Sequence, residues 1–333
     1  MSSLLLIDED GVLVRRENEH FVVTEKAIDL LRVPYVDVDC IVMAGSQEIT
    51  RGALDLALSR EIPVFLMTRS GQLRGSLSSP ICAGAETRSC QYRMTENEDS
   101  RLYIAQQLVG AQLRNQRALL RRLALRRSSS ETLLAARQDI KMLLKSVSTR
   151  TAIADLRGVE GRASRLVFDG IRSILDPKLG FTTRAIRSDR DPFNCVLDVC
   201  GGLLATTCKG AIEAAKLDPY WGIFHGSSHN GPALALDLED VYRPLLVTAT
   251  AVTLFTKKVL KQDSFIITNK SCNLTTEGFA KTCRIYGANL RRSVLGVNQT
   301  QAKTYLHHIH QDARQLASYF RGSHSDIEFF TVR

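Results

Sequence analysis

The chain has 333 residues, enough for two domains and a large core. Its 44% hydrophobic and 24% charged residues are the mix of an ordinary soluble globular protein. A net charge of +9 and a pI near 9.2 call for a polyanionic partner, either nucleic acid or an anionic membrane surface. Apolar runs read as too short for a bilayer, and Met1 to Asp8 lacks the basic start of a signal peptide, so neither anchor nor leader is expected. Cys40, Cys82, Cys90, Cys195, Cys200, Cys208, Cys272 and Cys283 form no C-x-x-C pair, which sets aside a zinc knuckle and predicts free thiols in a reducing, cytoplasmic compartment.

In chain order, the first signals are β. Leu4 to Ile7 is a short apolar run, and Val12-Leu13-Val14 and Phe21-Val22-Val23 flank the polar turn Glu17-Asn18-Glu19 as a hairpin. Val36 to Cys40 alternates and runs on into Ile41-Val42-Met43. Thr50 is placed to cap a helix carrying Ala53, Leu54, Ala57 and Leu58 on one face. Pro63 to Met67 reads as a buried strand followed by a turn at Arg69 to Gln72. Residues 1–80 are thus a β-rich domain, and 81–95, which lack a clear period, are read as a linker.

From Glu96 the period becomes helical, and residues 96–333 are predicted as a larger all-α domain. The fold class is therefore α+β. Leu102, Ala105, Val109, Leu113, Leu120 and Leu123 mark an apolar stripe; Arg114, Arg117 and Arg121 recur on another face, and Arg122, Arg126 and Arg127 extend the basic run. That run is either a solvated helix face or a stripe that tracks phosphates. Ser129 or Ser130 would cap the next helix. Further helices are expected over Val159 to Leu175, Asn194 to Lys209, Val247 to Val259, Phe279 to Leu295 and Gln299 to Arg321, the last polar and partly basic. Cys195, Cys200 and Cys208 read as small core residues of their helix.

Glu160, His225 and Asp240 lie in three separate segments. A carboxylate pair and an imidazole could fill half the coordination sphere of Mg2+ or Mn2+ and leave room for a phosphate oxygen. An isolated residue of any of these types is more often a structural hydrogen-bonding group, so spacing leaves both readings open. The cluster His307-His308-x-His310 suggests a metal, but adjacent histidines face different sides of a helix. His229 is read as a loop histidine or a DNA-facing group.

Longer motifs add a resemblance. Gly158-Val159-Glu160-Gly161-Arg162-Ala163-Ser164, Phe181 with Arg184 and Arg187, Asp191-Pro192-Phe193-Asn194, Leu217-Asp218-Pro219, Phe224-His225-Gly226, and Leu236 to Pro244 occur in one order. Together they closely resemble the CRISPR-associated integrase family, the spacer-acquisition nucleases. Val33-Pro34, Ile41 to Gly45, Ile49-Thr50, Ala53-Leu54, Ile62-Pro63-Val64 and Gly71 to Leu77 resemble that family's β domain. Where the family usually shows a tyrosine after its Asn-Ala-Leu-Leu motif, this chain has Gly201.

The resemblance implies a divalent-metal-dependent DNA endonuclease and integrase that joins 3′-hydroxyl ends of short DNA fragments to CRISPR repeat borders. Glu160, His225 and Asp240 would be its catalytic residues and ligands for Mg2+ or Mn2+, with Asp237 as an accessory carboxylate. Glu239 and Asp240 are both acidic; counting back from Arg243-Pro244 selects Asp240. Arg114, Arg117, Arg121, Arg162, Arg184, Arg187 and Arg243 are candidate nucleic-acid contacts, Arg243 alternatively an anchor for the acidic segment. The implied assembly has no membrane component. It is a homodimer built by the β domain, joined to a small second CRISPR-associated protein in a heterohexamer on double-stranded DNA, both fragment and repeat. The rival readings are a metal-dependent nuclease of branched DNA in repair and a non-catalytic DNA-binding scaffold.

Overall fold

The computed structural model describes residues 3–79, 84–126, 131–185, 191–226, 231–268 and 271–333. Eight strands open the chain: β1 (Ser3–Ile7), β2 (Leu13–Glu17), β3 (His20–Glu25), β4 (Ile28–Pro34), β5 (Val38–Ala44), β6 (Glu48–Ile49), then, after helix α1 (Arg51–Ser59), β7 (Val64–Met67) and β8 (Leu73–Leu77). They form two four-stranded sheets, ordered β1-β5-β7-β8 and β4-β3-β2-β6. The hairpin of β2 and β3 turns at Asn18 and Glu19, and Thr50 caps α1 by accepting the Ala53 N–H at 3.2 Å, both as expected. The strand expected from Val36 starts at Val38, because Tyr35–Asp37 make a 3-10 turn after Pro34.

Strand alternation explains how the sheets join the rest. On β5, Ile41 and Met43 face a small core with Leu5, Val14, Phe21, Leu56 and Val64. Cys40, Val42 and Ala44 point the other way and, with Leu4, Phe65 and Met67, enter the large helical core. Such a strand is buried on both faces, so its sequence reads as one apolar run. Buried Lys209 fastens the same junction: its Nζ donates to Ser76 Oγ at 3.0 Å and Glu213 Oε1 at 2.7 Å. At Gly202 a Cβ would lie 1.7 Å from the Gly71 carbonyl oxygen, so the β7–β8 turn touches helix backbone there.

The helices are α2 (Ala85–Glu96), α3 (Glu98–Arg126), α4 (Glu131–Ser146), α5 (Ile153–Arg172), α6 (Pro192–Ala214), α7 (Ala233–Arg243), α8 (Ala249–Thr256), α9 (Thr276–Leu290) and α10 (Tyr305–Phe320). The expected linker over 81–95 is, in its described part, α2. Its buried positions are Thr87, Gln91 and Thr95, a polar stripe at helical spacing that a hydrophobic period cannot reveal. Gln91 satisfies the carbonyls of Asp218 and Trp221 and the N–H of Asp218. The expected caps Ser129 and Ser130 lie outside the described residues, as does Cys82.

Asp191 caps α6 through the N–H groups of Phe193 and Asn194, with Pro192 at the first helical position. Contrary to expectation, α6 is long and apolar enough to cross a membrane; 78% of its apolar window is buried inside the protein, and it acts as the core helix. Pro244 follows the last residue of α7. It carries α7 into α8 through a π-helical turn, Pro244–Thr248, as expected of a residue that lacks an N–H and crowds the preceding turn.

The second part is not wholly α. Strands β9 (Phe265–Ile267) and β10 (Cys272–Leu274) pair, as do β11 (Ser293–Val294) and β12 (Lys303–Thr304), so the helix expected to reach Leu295 stops at Leu290. Helix α10 begins at Tyr305 rather than Gln299, and it is amphipathic rather than polar: Leu306, Ile309, Ala313, Leu316, Ala317 and Phe320 are buried.

Candidate active site

Helix α7 presents Leu234, Leu238 and Val241 to the core. That fixes the acidic residues between them. Asp237 is fully buried and accepts the backbone N–H groups of Ile223 (2.6 Å), Phe224 (3.1 Å) and His225 (2.9 Å). Its Oδ1 also lies 2.7 Å from Nδ1 of the His225 ring. The carbonyls of the same segment are taken from outside: Arg101 Nε donates to Ile223 at 2.7 Å, and Arg157 Nη2 to Phe224 at 2.9 Å. Close approach demands glycine at 222, where a Cβ would stand 2.7 Å from Ala233 Cβ. The backbone before the imidazole is therefore held on both its donor and its acceptor side.

With Nδ1–H directed at Asp237, the neutral ring presents the Nε2 lone pair outward, toward Asp240 Oδ2 at 3.8 Å. Burial opposes a charge on His225, but hydrogen bonding to Asp237 and the charges of Asp237 and Asp240 outweigh it and raise the ring above its ordinary value. Asp240 is raised mainly by burial, opposed by Arg243 and His225 and reinforced by the nearby charge of Glu160. Arg243 Nε donates to Asp240 Oδ1 at 3.1 Å, and its Nη2 lies 3.0 Å from Glu239 Oε1.

Glu160 comes from α5. Its Oε1 accepts from Gln112 Nε2 on α3 at 3.1 Å and from Ser164 Oγ at 2.7 Å. Its charge also acts on Asp240 and Arg243, so it belongs to the same electrostatic cluster. Each carboxylate is nevertheless held by its own donors. Among the described residues no three His, Cys, Asp or Glu side chains converge tightly enough to hold a metal ion as they stand. The chemistry of the donor set fits such an ion: two carboxylates, and an imidazole Nε2 whose other nitrogen bonds a carboxylate.

Several expectations are refined. Asp240, not Glu239, faces His225. Glu239 is buried beside Gly201, where a Cβ would lie 3.6 Å from its Oε1, and burial pushes its pKa up to about 7. Asp237 is not an accessory carboxylate facing a ligand; its oxygens already accept four N–H contacts, and its task is to hold His225. Arg243 anchors the acidic segment.

Arg184, expected as a nucleic-acid contact, is locked to Asp198 Oδ1 at 2.6 Å and Asn194 Oδ1 at 3.1 Å. Arg162, Arg114 and Arg121 are exposed, and Arg117 is half-buried. Arg187 and His229 lie outside the described residues. His308 is a core residue stacked on Phe330 at 4.2 Å between ring centroids, and its ring stands at 82° to that of His307, so the histidine cluster does not converge. Sequence reasoning missed Arg101, Gln112 and Arg157. Only Arg157 carries a local signal, one turn before Glu160 on the same helix.

Beside Glu239 and Arg243 opens a cleft of about 1100 Å³, walled by Thr68–Gln72 of the β region, by α6 and by Ser271–Leu274. Its acidic lining residues are Asp198 and Glu239; Glu160, His225 and Asp240 do not line it.

A family model described as "CRISPR associated protein Cas1" matches residues 5–287. An exonuclease Cas4/endonuclease Cas1 fusion of Rhodospirillum rubrum is 31% identical over 244 residues, 72% of this chain but only 42% of the fusion. A Geobacter sulfurreducens fusion likewise extends beyond the match, with 60% of it covered, so this chain spans about half the length of these relatives. CRISPR-associated endonuclease Cas1 1 of Archaeoglobus fulgidus is 28% identical over 288 residues, 81% of this chain and 83% of that one. Among solved structures, a chain of a Cas6-RT-Cas1–Cas2 complex matches with TM-score 0.79 and 25% identity, over 98% of this chain and 35% of that one. A casposase bound to integration product shares the fold, with TM-score 0.82 and 21% identity over 98% and 93%.

Proposed function

Since the chain belongs to the Cas1 family, we propose that it is a CRISPR spacer-acquisition integrase. In this reading it joins the 3′-hydroxyl ends of short DNA fragments to the borders of a CRISPR repeat by transesterification. The names of the relatives, endonucleases of CRISPR systems, support the nuclease chemistry. The observation that carries the reading is the His225 imidazole, pinned by Asp237 with Nε2 turned toward Asp240, within the electrostatic reach of Glu160.

Glu160, His225 and Asp240 would hold Mg2+ or Mn2+, which when bound lowers the pKa of an attacking hydroxyl and neutralises charge on the phosphate. The protein's own residues do the rest. Asp237 fixes the tautomer and direction of His225. Arg101 and Arg157 hold the loop that carries it. Gln112 and Ser164 steady Glu160, and Arg243 keeps Asp240 and Glu239 apart in direction. The cleft beside Glu239 and Arg243 has room for the strand.

Partners follow from the same reading. The edge strand β4 leaves Ile28, Leu30 and Leu31 exposed, with Val36 beyond it, and an apolar edge of this kind is satisfied by a second copy of the chain. A small second CRISPR-associated protein completes the heterohexamer, in keeping with the Cas1–Cas2 complex among the structural matches. The described cysteines are free thiols, in keeping with a reducing, cytoplasmic compartment.

The test is a strand-transfer assay with Mg2+ or Mn2+ on Glu160→Ala, His225→Ala and Asp240→Ala. Loss of joining with retained folding and DNA binding is expected for all three. Joined products identify an integrase, whereas cut strands alone identify the nuclease reading. Normal joining by any variant removes that residue from the site.

A further inference from the structure

Two cysteines from distant parts of the chain meet in the wall of the cleft beside Glu239 and Arg243. Asp191 and Pro192 fix where α6 begins, which puts Cys195 in its first turn. Helical spacing then sets Cys195, Asp198, Gly202 and Ala205 along the cleft. Strand β10 packs against this helix. In β10, Cys272 and Leu274 are buried and Asn273 between them is exposed, so strand alternation turns Cys272 inward. There its thiol shares a hydrogen bond with the Cys195 thiol, and the backbone N–H of Leu274 donates to the same Cys195 sulfur. Both cysteines line the cleft, and they keep 8% and 7% exposure, whereas Cys200 and Cys208 on α6 are fully enclosed. A small molecule in the cleft can therefore reach the pair.

The two thiols are not equivalent. The hydrogen bond from Cys195 favours the Cys272 thiolate and lowers its pKa below the ordinary thiol value, against burial and the charge of Asp191. The same hydrogen bond, together with burial and the charges of Cys272 and Asp198, pushes Cys195 up. Cys272 is thus the first of the pair to lose its proton and become a nucleophile, with a second thiol already in contact to resolve what it forms. Cys40, Cys200, Cys208 and Cys283 do not line the cleft, and burial pushes each of their thiols up.

We propose that Cys272 and Cys195 are a reversible redox-modification site, which takes a low-molecular-weight disulfide as oxidant and closes to a Cys195–Cys272 disulfide. The Cys272 thiolate attacks one sulfur of the small disulfide, forms a mixed disulfide and expels the other half, which takes up the proton that Cys272 released. Cys195 then attacks the Cys272 sulfur, and its proton goes to the second departing thiolate. Two protein thiols lose two electrons and two protons, and one small disulfide becomes two small thiols. Oxidation ties the Ser271–Leu274 wall covalently to α6, so the redox state sets how freely that wall of the cleft moves. A reducing compartment reverses the bond, as for other redox-sensing disulfides of such compartments. The site is independent of any reaction on DNA.

The experiment incubates the reduced, folded chain with oxidised glutathione, blocks remaining thiols by alkylation and maps the peptides by mass spectrometry. The wild type should yield a Cys195–Cys272 disulfide that dithiothreitol reverses, and amide exchange over residues 271–274 should slow in the oxidised chain. Cys195→Ser should stop at the mixed disulfide, with one glutathione on Cys272. Cys272→Ser should leave Cys195 a free thiol. Circular dichroism shows whether each variant is folded, and the wild-type peptide map decides by itself if one is not. The proposal is overturned if both residues stay reduced in the wild type, if either pairs with a different cysteine, if folded Cys195→Ser takes up no glutathione at Cys272, or if exchange over 271–274 is the same in both redox states.

Discussion

His225 and Asp237 are joined twice: the carboxylate receives both the backbone N–H and the ring Nδ1 of the same histidine, at 2.9 and 2.7 Å. One buried carboxylate therefore sets where the imidazole stands and which nitrogen it offers. Replacement by asparagine keeps the size but turns an N–H donor toward N–H donors. Asp237→Asn should weaken Mn2+ affinity and strand joining by roughly 10–100-fold. Calorimetric titration of Mn2+ beside the joining assay checks this, and unchanged metal affinity would contradict it.

Arg157 reaches from the helix of Glu160 to the carbonyl of Phe224, next to His225. It registers two candidate ligands against each other. Arg157→Ala should leave the melting temperature nearly unchanged and raise the Mn2+ concentration for half-maximal joining by about tenfold, the lower end of the range for groups that orient ligands. Faster amide exchange over residues 221–226 is the independent readout.

Asp312 is buried, accepting Tyr242 O–H at 2.7 Å and the Phe330 N–H at 3.0 Å. Burial outweighs these donors and pushes its pKa up from 3.8 to about 7. The folded chain thus keeps a proton that the unfolded chain has released. Its contribution to stability is complete below about pH 4 and is lost as pH rises through about 7. Glu239, also pushed to about 7, acts with the same sign. Asp312→Asn retains an acceptor for both donors, so it should flatten the pH dependence of denaturant unfolding between pH 4 and 8 and stabilise the chain at pH 8.

Gly202 meets the β7–β8 turn, where a Cβ would sit 1.7 Å from the Gly71 carbonyl oxygen. Gly202→Ala must separate the β region from α6. A loss of about 3 kcal/mol is expected by thermal or denaturant unfolding, the upper range for overpacking against backbone. A variant as stable as the wild type would show that the two parts are not docked through this contact.

Ile28 and Leu30 are exposed on the edge strand β4. The double change Ile28→Glu/Leu30→Glu should convert a dimer to monomers in sedimentation at micromolar concentration, with the fold intact by circular dichroism. A dimer that persists would move the interface elsewhere.

Much of this protein is legible along the chain. The cap at Thr50, the hairpin turn at Asn18 and the helix expected over Asn194 to Lys209 depend on residues a few positions apart, and backbone geometry alone makes such residues neighbours. Glu160, His225 and Asp240 are singled out by the family motifs that carry them; their spacing alone leaves a structural role open. Tertiary structure decided what each polar group does. Gln91 turns an unpatterned stretch into a buried helix because Asp218 and Trp221 need its amide. Asp237 became the holder of His225 because three N–H groups of a distant turn converge on it. Arg184 was drawn to Asp198, and the arginines of α3 were turned away from the carboxylates by the burial of Gln112 and Gln116. A buried polar atom must find a partner, and the partner is chosen by how the chain crosses itself, which no local period records.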